Sequence, residues 1–259
     1  MNKKKLVSII AILALIIVAK VVVHVNATAN DTTGVNAQIT EQDSVSRHHL
    51  LASTPYYTSL HFANEHLPLG DKSIEDKMMN FLENYKFEKV QTYKMHEVAL
   101  KSLPKIGEIL ESYGIPQDFK YIPLLESGFV KHATSHKGAT GYWQFMPETA
   151  RAFGLRVDEE VDERKDLIKS THAAAKYILA LYDEFESWTL VAAAYNVGSG
   201  SLRSAMQKQG EDNYFKLKLN KETASYVFRL ISLKEIIEHP QRYGYNDEKA
   251  FVASLLLKG

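Results

Sequence analysis

Glu126 has the surroundings best suited to acid chemistry in this chain of 259 residues. It follows the apolar run YIPLL at 121–125 and precedes a loop, 127–140, that is rich in Ser, Thr, His and Gly. The segment GYWQ at 141–144 comes next, and Pro147 is placed to begin a new helix. A carboxylate beside an apolar run, followed by a polar loop with aromatic residues, is typical of a cleft that holds a sugar.

A general acid must hold its proton near neutral pH, and two local features favour this state for Glu126. The neighbouring Leu124, Leu125 and Phe129 disfavour the charged form of the carboxyl group because they are apolar. The residue also stands near the predicted end of a helix, where the negative end of the dipole disfavours a negative charge. Both effects raise the pKa, as an acid that cleaves glycosidic bonds requires. The alternative for a Glu near a helix end is a solvated surface residue.

Three further stretches combine polar and aromatic residues, so that the chain carries four motifs in order. They are Glu126-Ser127 with Phe129; Gly141-Tyr142-Trp143-Gln144 with Phe145-Met146-Pro147; Ala193-Ala194-Tyr195-Asn196 with Gly198; and Glu222-Thr223 with Tyr226-Val227. In order and spacing these motifs resemble the lytic transglycosylases of the lysozyme-like superfamily, most closely the membrane-bound murein transglycosylase D type. The resemblance covers roughly residues 115–233.

The resemblance implies a reaction that needs a single carboxylate. Glu126 would protonate the glycosidic oxygen between N-acetylmuramic acid and N-acetylglucosamine, while the muramyl N-acetyl oxygen assists from the other face of the ring. As a carboxylate, Glu126 would then take the proton of the muramyl C6 hydroxyl, which closes on C1 to give a 1,6-anhydro end without water. Ordinary glycosidases use two carboxylates. The expected partner is the glycan strand of peptidoglycan, and no cofactor or metal is expected.

The same resemblance assigns sugar-binding roles to residues after the acid. Ser135 would help to hold the N-acetyl region, and Gln144 and the backbone near Met146 would hold sugar hydroxyls and amides. Tyr195 would stand near the acid and orient either the N-acetyl group or the acid itself, whereas Tyr226 would line the cleft. A core position is the alternative for Tyr195, because it ends an apolar helix.

Three residues are expected to support the site. Ser127 follows the acid directly, and Asn196 would secure the end of a helix and the loop after it. Trp143 departs from the family's usual pattern, in which a small aliphatic residue and a Met or Ile precede the Gln; here that pair is Tyr142-Trp143. We interpret Trp143 as a wall of the cleft, with a core position as the alternative.

Other candidate residues receive simpler interpretations. His132 and His136 lie four residues apart in a loop, without the intervening Glu of a His-Glu-x-x-His helix, so no metal site is predicted. Asp162, Glu163 and Asp166 are predicted to form a solvated helix start. The alternative is that one of them is a second carboxylate, which would make the enzyme a hydrolase.

Helices must position these residues, because apolar residues recur at three- and four-residue spacing and no stretch alternates convincingly. The first helix is predicted from residue 73 onward; the others cover 94–103, 105–112, 116–126, 147–153, 166–185, 188–196, 202–209 and 223–238. Pro104 is expected to separate two of them, Pro123 to kink another, and Gly198 with Gly200 to end the 188–196 helix. The predicted fold class is all-α. The resemblance makes the catalytic domain lysozyme-like, and the region before it, outside the resemblance, is predicted to be an N-terminal helical extension.

The N-terminus predicts export. Three lysines at 3–5 precede an uncharged apolar run at 6–19, and the apolar residues resume after Lys20. Such a pattern is an export signal, with a cleavage site at Ala27-Thr28-Ala29. The alternative is an uncleaved anchor over residues 6–23, which are just enough to span a bilayer. On either interpretation the protein works in the periplasm or cell envelope, and it meets the membrane only through such an anchor.

The predicted organisation has four parts: a signal peptide or anchor at 1–29, a flexible linker at 30–54, a helical extension at 55–114 and the catalytic domain at 115–259. The apolar stretch 250–257 is predicted to be a last helix or a tail that docks a partner. Lys and Arg together balance Asp and Glu at 31 each, so no global field attracts nucleic acid. The absence of Cys excludes disulfides, Cys-bound zinc and a thiol nucleophile.

The sequence therefore predicts an exported lytic transglycosylase that acts on peptidoglycan with Glu126 as acid and base. One alternative is a hydrolytic muramidase on the same fold, which needs a water-activating carboxylate and leaves a reducing end. The other is a catalytically silent glycan-binding module of an envelope assembly. The retained Glu126 argues against that module, because a pure binder needs no acid there.

Overall fold

The computed structural model describes residues 55–90 and 93–245, which fall in one compact unit. The predicted export segment, the linker and the stretch 250–257 lie outside these residues. The described helices are α1 (Pro55–Ser59), α2 (Lys72–Asn84), α3 (Phe87–Val90), α4 (Lys94–Ser112), α5 (Ile122–Ser127), α6 (Pro147–Ala152), α7 (Leu167–Phe185), α8 (Trp188–Val197), α9 (Ser199–Gln209) and α10 (Thr223–Glu238). None of the helices in these two ranges combines the length and apolar content that crossing a bilayer requires.

The all-α class is confirmed, with a small exception near the start of the described chain. Strands β1 (His61–Phe62) and β2 (Glu65–His66) pair as an antiparallel hairpin, which we call the N-terminal hairpin. Three 3-10 helices cover Gln117–Tyr121, Glu163–Lys165 and Pro240–Tyr243. Two-residue strands are too short to produce an alternating pattern, so the hairpin could not be predicted from the sequence.

The core is built around α10, which is buried on nearly every side. Ten of its residues between Tyr226 and Ile236 are buried, including Phe228, Leu230 and Leu233. The helix packs against α2, α5, α8 and the 3-10 helix at Gln117–Tyr121. It therefore touches both the helix that carries Glu126 and the helix that carries Tyr195.

Helix α8 packs between α7 and α10, as its apolar composition predicts. Buried alanines at 173–175 in α7 and 192–194 in α8 let these backbones approach closely. Asp166 and Ser187 cap the N-termini of α7 and α8 by accepting backbone hydrogen bonds. Gly198, at φ 87°, ends α8, but Gly200 lies inside α9, so its predicted role as a helix stop is wrong.

Pro104 does not divide α4, contrary to the prediction of two helices there. Proline removes one backbone donor and crowds the carbonyl four residues earlier, which belongs to Leu100. Leu100 and Pro104 are both exposed, so water can solvate the Leu100 carbonyl, which lacks its helical donor. On the opposite face Leu103, Ile106 and Leu110 are buried, and this packing keeps the helix continuous.

The segment after Pro116 is also split differently from the prediction. A 3-10 helix at Gln117–Tyr121 comes first, and α5 then begins at Ile122 with Pro123 in its first turn. Proline is tolerated there because the first N–H groups of a helix have no intrahelical partner. The predicted single kinked helix is therefore wrong. Glu126 is carried by a separate short helix of six residues, Ile122–Ser127.

Candidate active site

Glu126 lies in the last turn of α5, directly before the helix ends. Ile122, Pro123 and Leu124 anchor this helix in the core. The helix ends at Gly128, whose φ of 57° is a left-handed conformation that glycine adopts at little steric cost. Glu126 is therefore held by a rigid, buried base while its own side chain is half-buried.

One direct partner of the Glu126 carboxylate is Tyr226 of α10. The Tyr226 hydroxyl donates a hydrogen bond of 2.5 Å to Oε1 of Glu126. Burial raises the pKa of Tyr226 well above its ordinary value, and the nearby charge of Glu126 acts in the same direction. The tyrosine therefore remains protonated near neutral pH, and its hydroxyl, as the donor, holds one carboxylate oxygen in place.

The pKa of Glu126 is raised, in the direction that the sequence predicted. Burial is the largest cause, because the surrounding protein solvates the charged form poorly. The hydrogen bond from Tyr226 and the positive charge of Arg229 lower the pKa, while the negative charge of Glu222 raises it further. The sequence analysis missed Arg229. Its spacing of three residues from Tyr226 on one helix face was the available signal.

Tyr195 also lies close to the acid but makes a different contact. Its hydroxyl donates a hydrogen bond of 2.8 Å to the Trp143 carbonyl oxygen. Burial raises its pKa well above the usual range, and the charge of Glu126 adds to this shift. Tyr226, which was predicted to line the cleft, therefore contacts the carboxylate directly, whereas Tyr195, which was predicted to stand near the acid, binds the neighbouring backbone.

The segment 141–144 is joined to α5 through backbone carbonyls. The Ser127 hydroxyl lies 2.9 Å from the Tyr142 carbonyl oxygen and 3.0 Å from that of Pro123, so it can donate to either. Together with the contact from Tyr195 to the next carbonyl, this holds the segment beside the acid. The supporting role predicted for Ser127 has this geometry behind it.

Gln144 and Met146 follow on the same segment. Gln144 adopts a φ of 49°, an uncommon conformation for a residue with a side chain. Its side-chain amide donates hydrogen bonds to the carbonyl oxygens of Gly141, at 2.8 Å, and Ala133, at 3.1 Å. This amide therefore closes the turn. Met146 is among the few exposed large apolar residues of the described chain, which suits a surface that meets a ligand.

Trp143 lies in the core. Its side chain is fully buried, and its indole N–H donates a hydrogen bond of 3.0 Å to Thr171 of α7. The interpretation of Trp143 as a wall of the cleft is therefore wrong in this structure, and the alternative core position holds. Trp143 still contacts the site from the core, because its carbonyl oxygen accepts the hydrogen bond from the Tyr195 hydroxyl.

Ser135 and Asn196 have partners near their own segments. The exposed Ser135 hydroxyl accepts a hydrogen bond from the Ala139 N–H within the same loop. Asn196 connects the end of α8 with the start of α10, because its amide donates to Glu222 and its oxygen accepts from Thr223. The carboxylate of Glu222 is thereby held near Glu126.

The three acidic residues at 162–166 serve local structure. Asp162 pairs with the buried Arg164 at 2.8 Å, and Asp166 caps α7. Glu163 accepts hydrogen bonds from Lys169 and from a backbone N–H, and these contacts lower its pKa. Arg164, which the sequence analysis missed, donates to two carbonyl oxygens of the 138–145 segment and so supports the loop after the acid.

Comparison with known proteins gives a family match that covers the acid and three of the four motifs up to residue 218. Residues 106–218 match the family model described as "Transglycosylase SLT domain". The chain is 31% identical over 186 residues to "Membrane-bound lytic murein transglycosylase D" of Escherichia coli K12. This alignment includes 69% of the present chain and 39% of the relative, so the chain spans about two fifths of that protein's length.

Two other relatives and one solved structure are also similar. A "Putative tributyltin chloride resistance protein" of Alteromonas is 32% identical over 136 residues, which are 51% of this chain and 66% of the relative. "Peptidoglycan transglycosylase gp16" of Escherichia phage T7 is 39% identical over 95 residues, which are 36% of this chain and 7% of the relative. A crystal structure of an inactive mutant of lytic transglycosylase Slt from Pseudomonas aeruginosa aligns with a TM-score of 0.43 at 18% identity, covering 78% of this chain and 35% of that one.

Proposed function

Because residues 106–218 of this chain match the transglycosylase SLT domain, we propose that the protein is a peptidoglycan lytic transglycosylase. The observation that carries the proposal is the state of Glu126. It is half-buried at the end of a rigid helix, its pKa is raised, and a tyrosine hydroxyl orients it. A raised pKa keeps the proton on the carboxyl group, where it can be given to a glycosidic oxygen.

In the first step, Glu126 transfers its proton to the oxygen that bridges N-acetylmuramic acid and N-acetylglucosamine. The bond from the muramyl C1 to that oxygen breaks, and the N-acetylglucosamine side leaves with a new hydroxyl group. The muramyl N-acetyl oxygen supplies electron density to C1 from the opposite face of the ring. Glu126 is then a carboxylate, and Tyr226 and Arg229 stabilise its charge.

In the second step, the carboxylate takes the proton from the muramyl C6 hydroxyl. The C6 oxygen forms a bond with C1 as the interaction between C1 and the N-acetyl oxygen breaks, and the product carries a 1,6-anhydro ring with its N-acetyl group restored. Glu126 regains the proton that it lost, and no water is consumed. The opposing effects on its pKa suit these two tasks, since burial favours the acid and the Tyr226 hydrogen bond favours the base.

The remaining site residues are proposed to hold the glycan. Met146 is exposed beside the segment that Ser127 and Tyr195 fix, so it can contact a sugar ring. Ser135 offers an exposed hydroxyl on the loop after the acid, and the Gln144 oxygen is proposed to accept from a sugar group. Hydroxyls, amides and apolar surfaces together match the chemistry of N-acetylated sugars.

The alternatives differ in what they need from the chain. A hydrolytic muramidase needs a second carboxylate to activate water. Asp162, Glu163 and Asp166 are engaged in capping and ion pairs, and this observation favours the non-hydrolytic reaction. A silent binding module would gain nothing from a half-buried carboxyl group with a raised pKa, since removing an ionisable group from water destabilises its charged form.

We propose that the protein acts in the cell envelope, in agreement with the E. coli relative, which is described as membrane-bound. The export signal or anchor at 1–29 and the linker at 30–54 remain predictions, as do the extension at 55–114 and the catalytic domain at 115–259. The family match begins at residue 106, inside α4, so the proposed extension and catalytic domain share this helix.

The reaction is tested by the mass of its products. The full chain is incubated with purified peptidoglycan, and the soluble muropeptides are analysed by mass spectrometry. We expect products that are one water lighter than reducing muropeptides. Reducing products would assign the hydrolytic alternative. Binding of peptidoglycan by the folded protein without any products would assign the glycan-binding module.

Replacing Tyr226 with Phe is expected to shift the pH dependence of turnover. Loss of the hydroxyl removes a hydrogen bond that stabilises the carboxylate, so the pKa of Glu126 rises further. Turnover by a protonated acid falls as pH rises through its pKa; the alkaline limb of the profile should therefore move to higher pH. The maximal rate should fall about tenfold, because the same hydrogen bond orients the base.

The control for this variant is Tyr214→Phe, which removes another buried hydroxyl that bonds to the start of α10. It should lose stability without moving the alkaline limb. An unchanged profile in Tyr226→Phe would show that the hydrogen bond does not control the acid.

A further inference from the structure

The N-terminal hairpin is joined to two helices that carry residues of the proposed site, α8 and α10, and to the 3-10 helix that precedes α5. It lies outside residues 106–218, and the four motifs do not include it. Its two-residue loop, Ala63 and Asn64, has positive φ at both positions, which is the conformation of a tight type I′ turn. Ala63 is buried in this uncommon conformation, so its surroundings must hold it there.

The first contact joins the hairpin to the segment before α5 and to α10. The backbone N–H of Ala63 donates a hydrogen bond of 2.7 Å to Oδ2 of Asp118, in the 3-10 helix that precedes α5. The Lys234 ammonium group donates to the same oxygen at 2.9 Å. Asp118 and Lys234 are both buried, so this oxygen fixes the hairpin, the approach to Glu126 and the helix of Tyr226 together.

The second contact joins the hairpin to the N-terminus of α8. The Glu65 carboxylate accepts hydrogen bonds from the backbone N–H groups of Trp188 and Thr189, the latter at 3.0 Å. It also accepts from the hydroxyls of Ser187, at 3.0 Å, and Thr189, at 2.6 Å. These backbone donors belong to the first turn of a helix, where they lack intrahelical partners and where the dipole favours a negative charge.

Apolar packing holds Glu65 in register with these donors. Phe62 is paired with Glu65 across the hairpin, so their side chains share one face. The ring of Phe62 lies 5.0 Å from that of Phe119, which in turn lies 5.4 Å from that of Trp188. The same hairpin face therefore contacts the start of α8 directly through the Glu65 carboxylate and reaches Trp188 indirectly, through the ring of Phe119.

The position of α8 along its axis determines where Tyr195 lies. Tyr195 follows Trp188 by two helical turns, roughly 10 Å along a rigid helix. Its hydroxyl reaches the Trp143 carbonyl, in the segment that Ser127 also contacts. A shift at the N-terminus of α8 would move this hydroxyl and loosen the protein around Glu126.

From this geometry we propose that Glu65 is a positioning residue of the glycan-cleaving site. It acts through α8 and has no contact with the substrate. This inference rests on the proposed function, and it adds to that function an element outside the family match. A mere capping role would contribute stability alone; a positioning role must also alter the chemistry at Glu126.

The test compares Glu65→Ala and Glu65→Gln with Asp71→Ala in the full chain. Asp71 caps α2 by accepting from the N–H groups of Ser73 and Ile74, so its loss removes a comparable cap from a helix that carries no proposed site residue. Rates on soluble glycan fragments are measured well below the unfolding temperature of each variant. Glu65→Ala should lower kcat about tenfold with little change in KM, since small misplacements of reacting groups are costly. Glu65→Gln should be intermediate, and Asp71→Ala should keep the parental kcat.

A second readout needs no turnover. The pKa of Glu126 is followed by NMR of carboxyl-labelled glutamate in the parent and in the variants. In Glu65→Ala it should fall towards the ordinary value, because loosened packing admits water and burial is the main cause of the rise. If Glu65→Ala does not fold, the kcat and the pKa of Glu126 in Glu65→Gln decide whether Glu65 is a positioning residue. An unchanged kcat and an unchanged pKa of Glu126, with only stability lost, would overturn the positioning role. A parent without turnover would overturn the proposed function, and the pKa would still decide this inference.

Discussion

The Glu126→Gln variant is expected to release soluble anhydro products from peptidoglycan at least about a thousandfold more slowly than the parent. The amide cannot give a proton to the glycosidic oxygen, nor can it take one from the C6 hydroxyl, so both steps fail. Because Gln has nearly the same shape, the hydroxyl of Tyr226 can still donate to its side-chain oxygen. The unfolding temperature should stay level or rise, since a buried ionisable group is replaced by a neutral one.

Product release is measured by mass spectrometry of soluble muropeptides, with binding to insoluble peptidoglycan measured in parallel. The matched control is Glu159→Gln, which changes an exposed carboxylate in the 156–162 turn and should keep full activity. Retained binding without turnover in Glu126→Gln would agree with an acid and base. Turnover within tenfold of the parent would remove Glu126 from that role.

The Gly141→Ala variant is expected to lose roughly 3–5 kcal/mol of folding free energy, a large part of a typical total. A Cβ atom at this position would lie 2.5 Å from the Arg164 carbonyl carbon and would overlap its oxygen. The backbone of Arg164 cannot move aside easily, because its buried guanidinium group is paired with Asp162. Residue 141 also has a φ of 84°, a conformation that favours glycine.

Gly138→Ala is the control that separates the clash from the backbone conformation. Gly138 has a similar φ of 89°, but a Cβ atom there would meet nothing within 4 Å. This variant should lose only about 1 kcal/mol. Urea unfolding of both variants gives the comparison. Equal losses would mean that the contact with Arg164 relaxes and that the conformation alone matters.

The sequence predicted the helices best where capping residues and apolar periodicity agree. The bounds of α10 are those predicted, and α7 and α8 differ from prediction by one residue. At Pro104 the rule that proline ends a helix failed. Pro104 faces solvent, and the packing of the opposite side of α4 keeps the helix continuous. A local rule cannot know which side of a helix will be buried.

Glu126 was predicted to be the acid from its local surroundings and the order of the motifs, and the rise in its pKa was predicted from its apolar neighbours. Its partner could not be found in this way. Tyr195 was predicted to stand near Glu126 and Tyr226 to line the cleft, whereas the Tyr226 hydroxyl is the one that binds the carboxylate. Such pairings depend on how α5, α8 and α10 cross, and linear spacing carries no information on crossing. The interaction of Glu65 with α8 was missed for the same reason.

The contacts that define the site have a consequence for the order of events during synthesis. Glu126 and Tyr226 are separated by 100 residues, Glu65 and Thr189 by 124, and Asp118 and Lys234 by 116. Contacts of such long range pay the entropy of closing large loops and form late in folding. A nascent chain that has not yet released α10 from the ribosome lacks the hydroxyl that orients the acid. Under the proposed function, the hydrogen bond that orients Glu126 can therefore form only after α10 has been synthesised and has packed against α5.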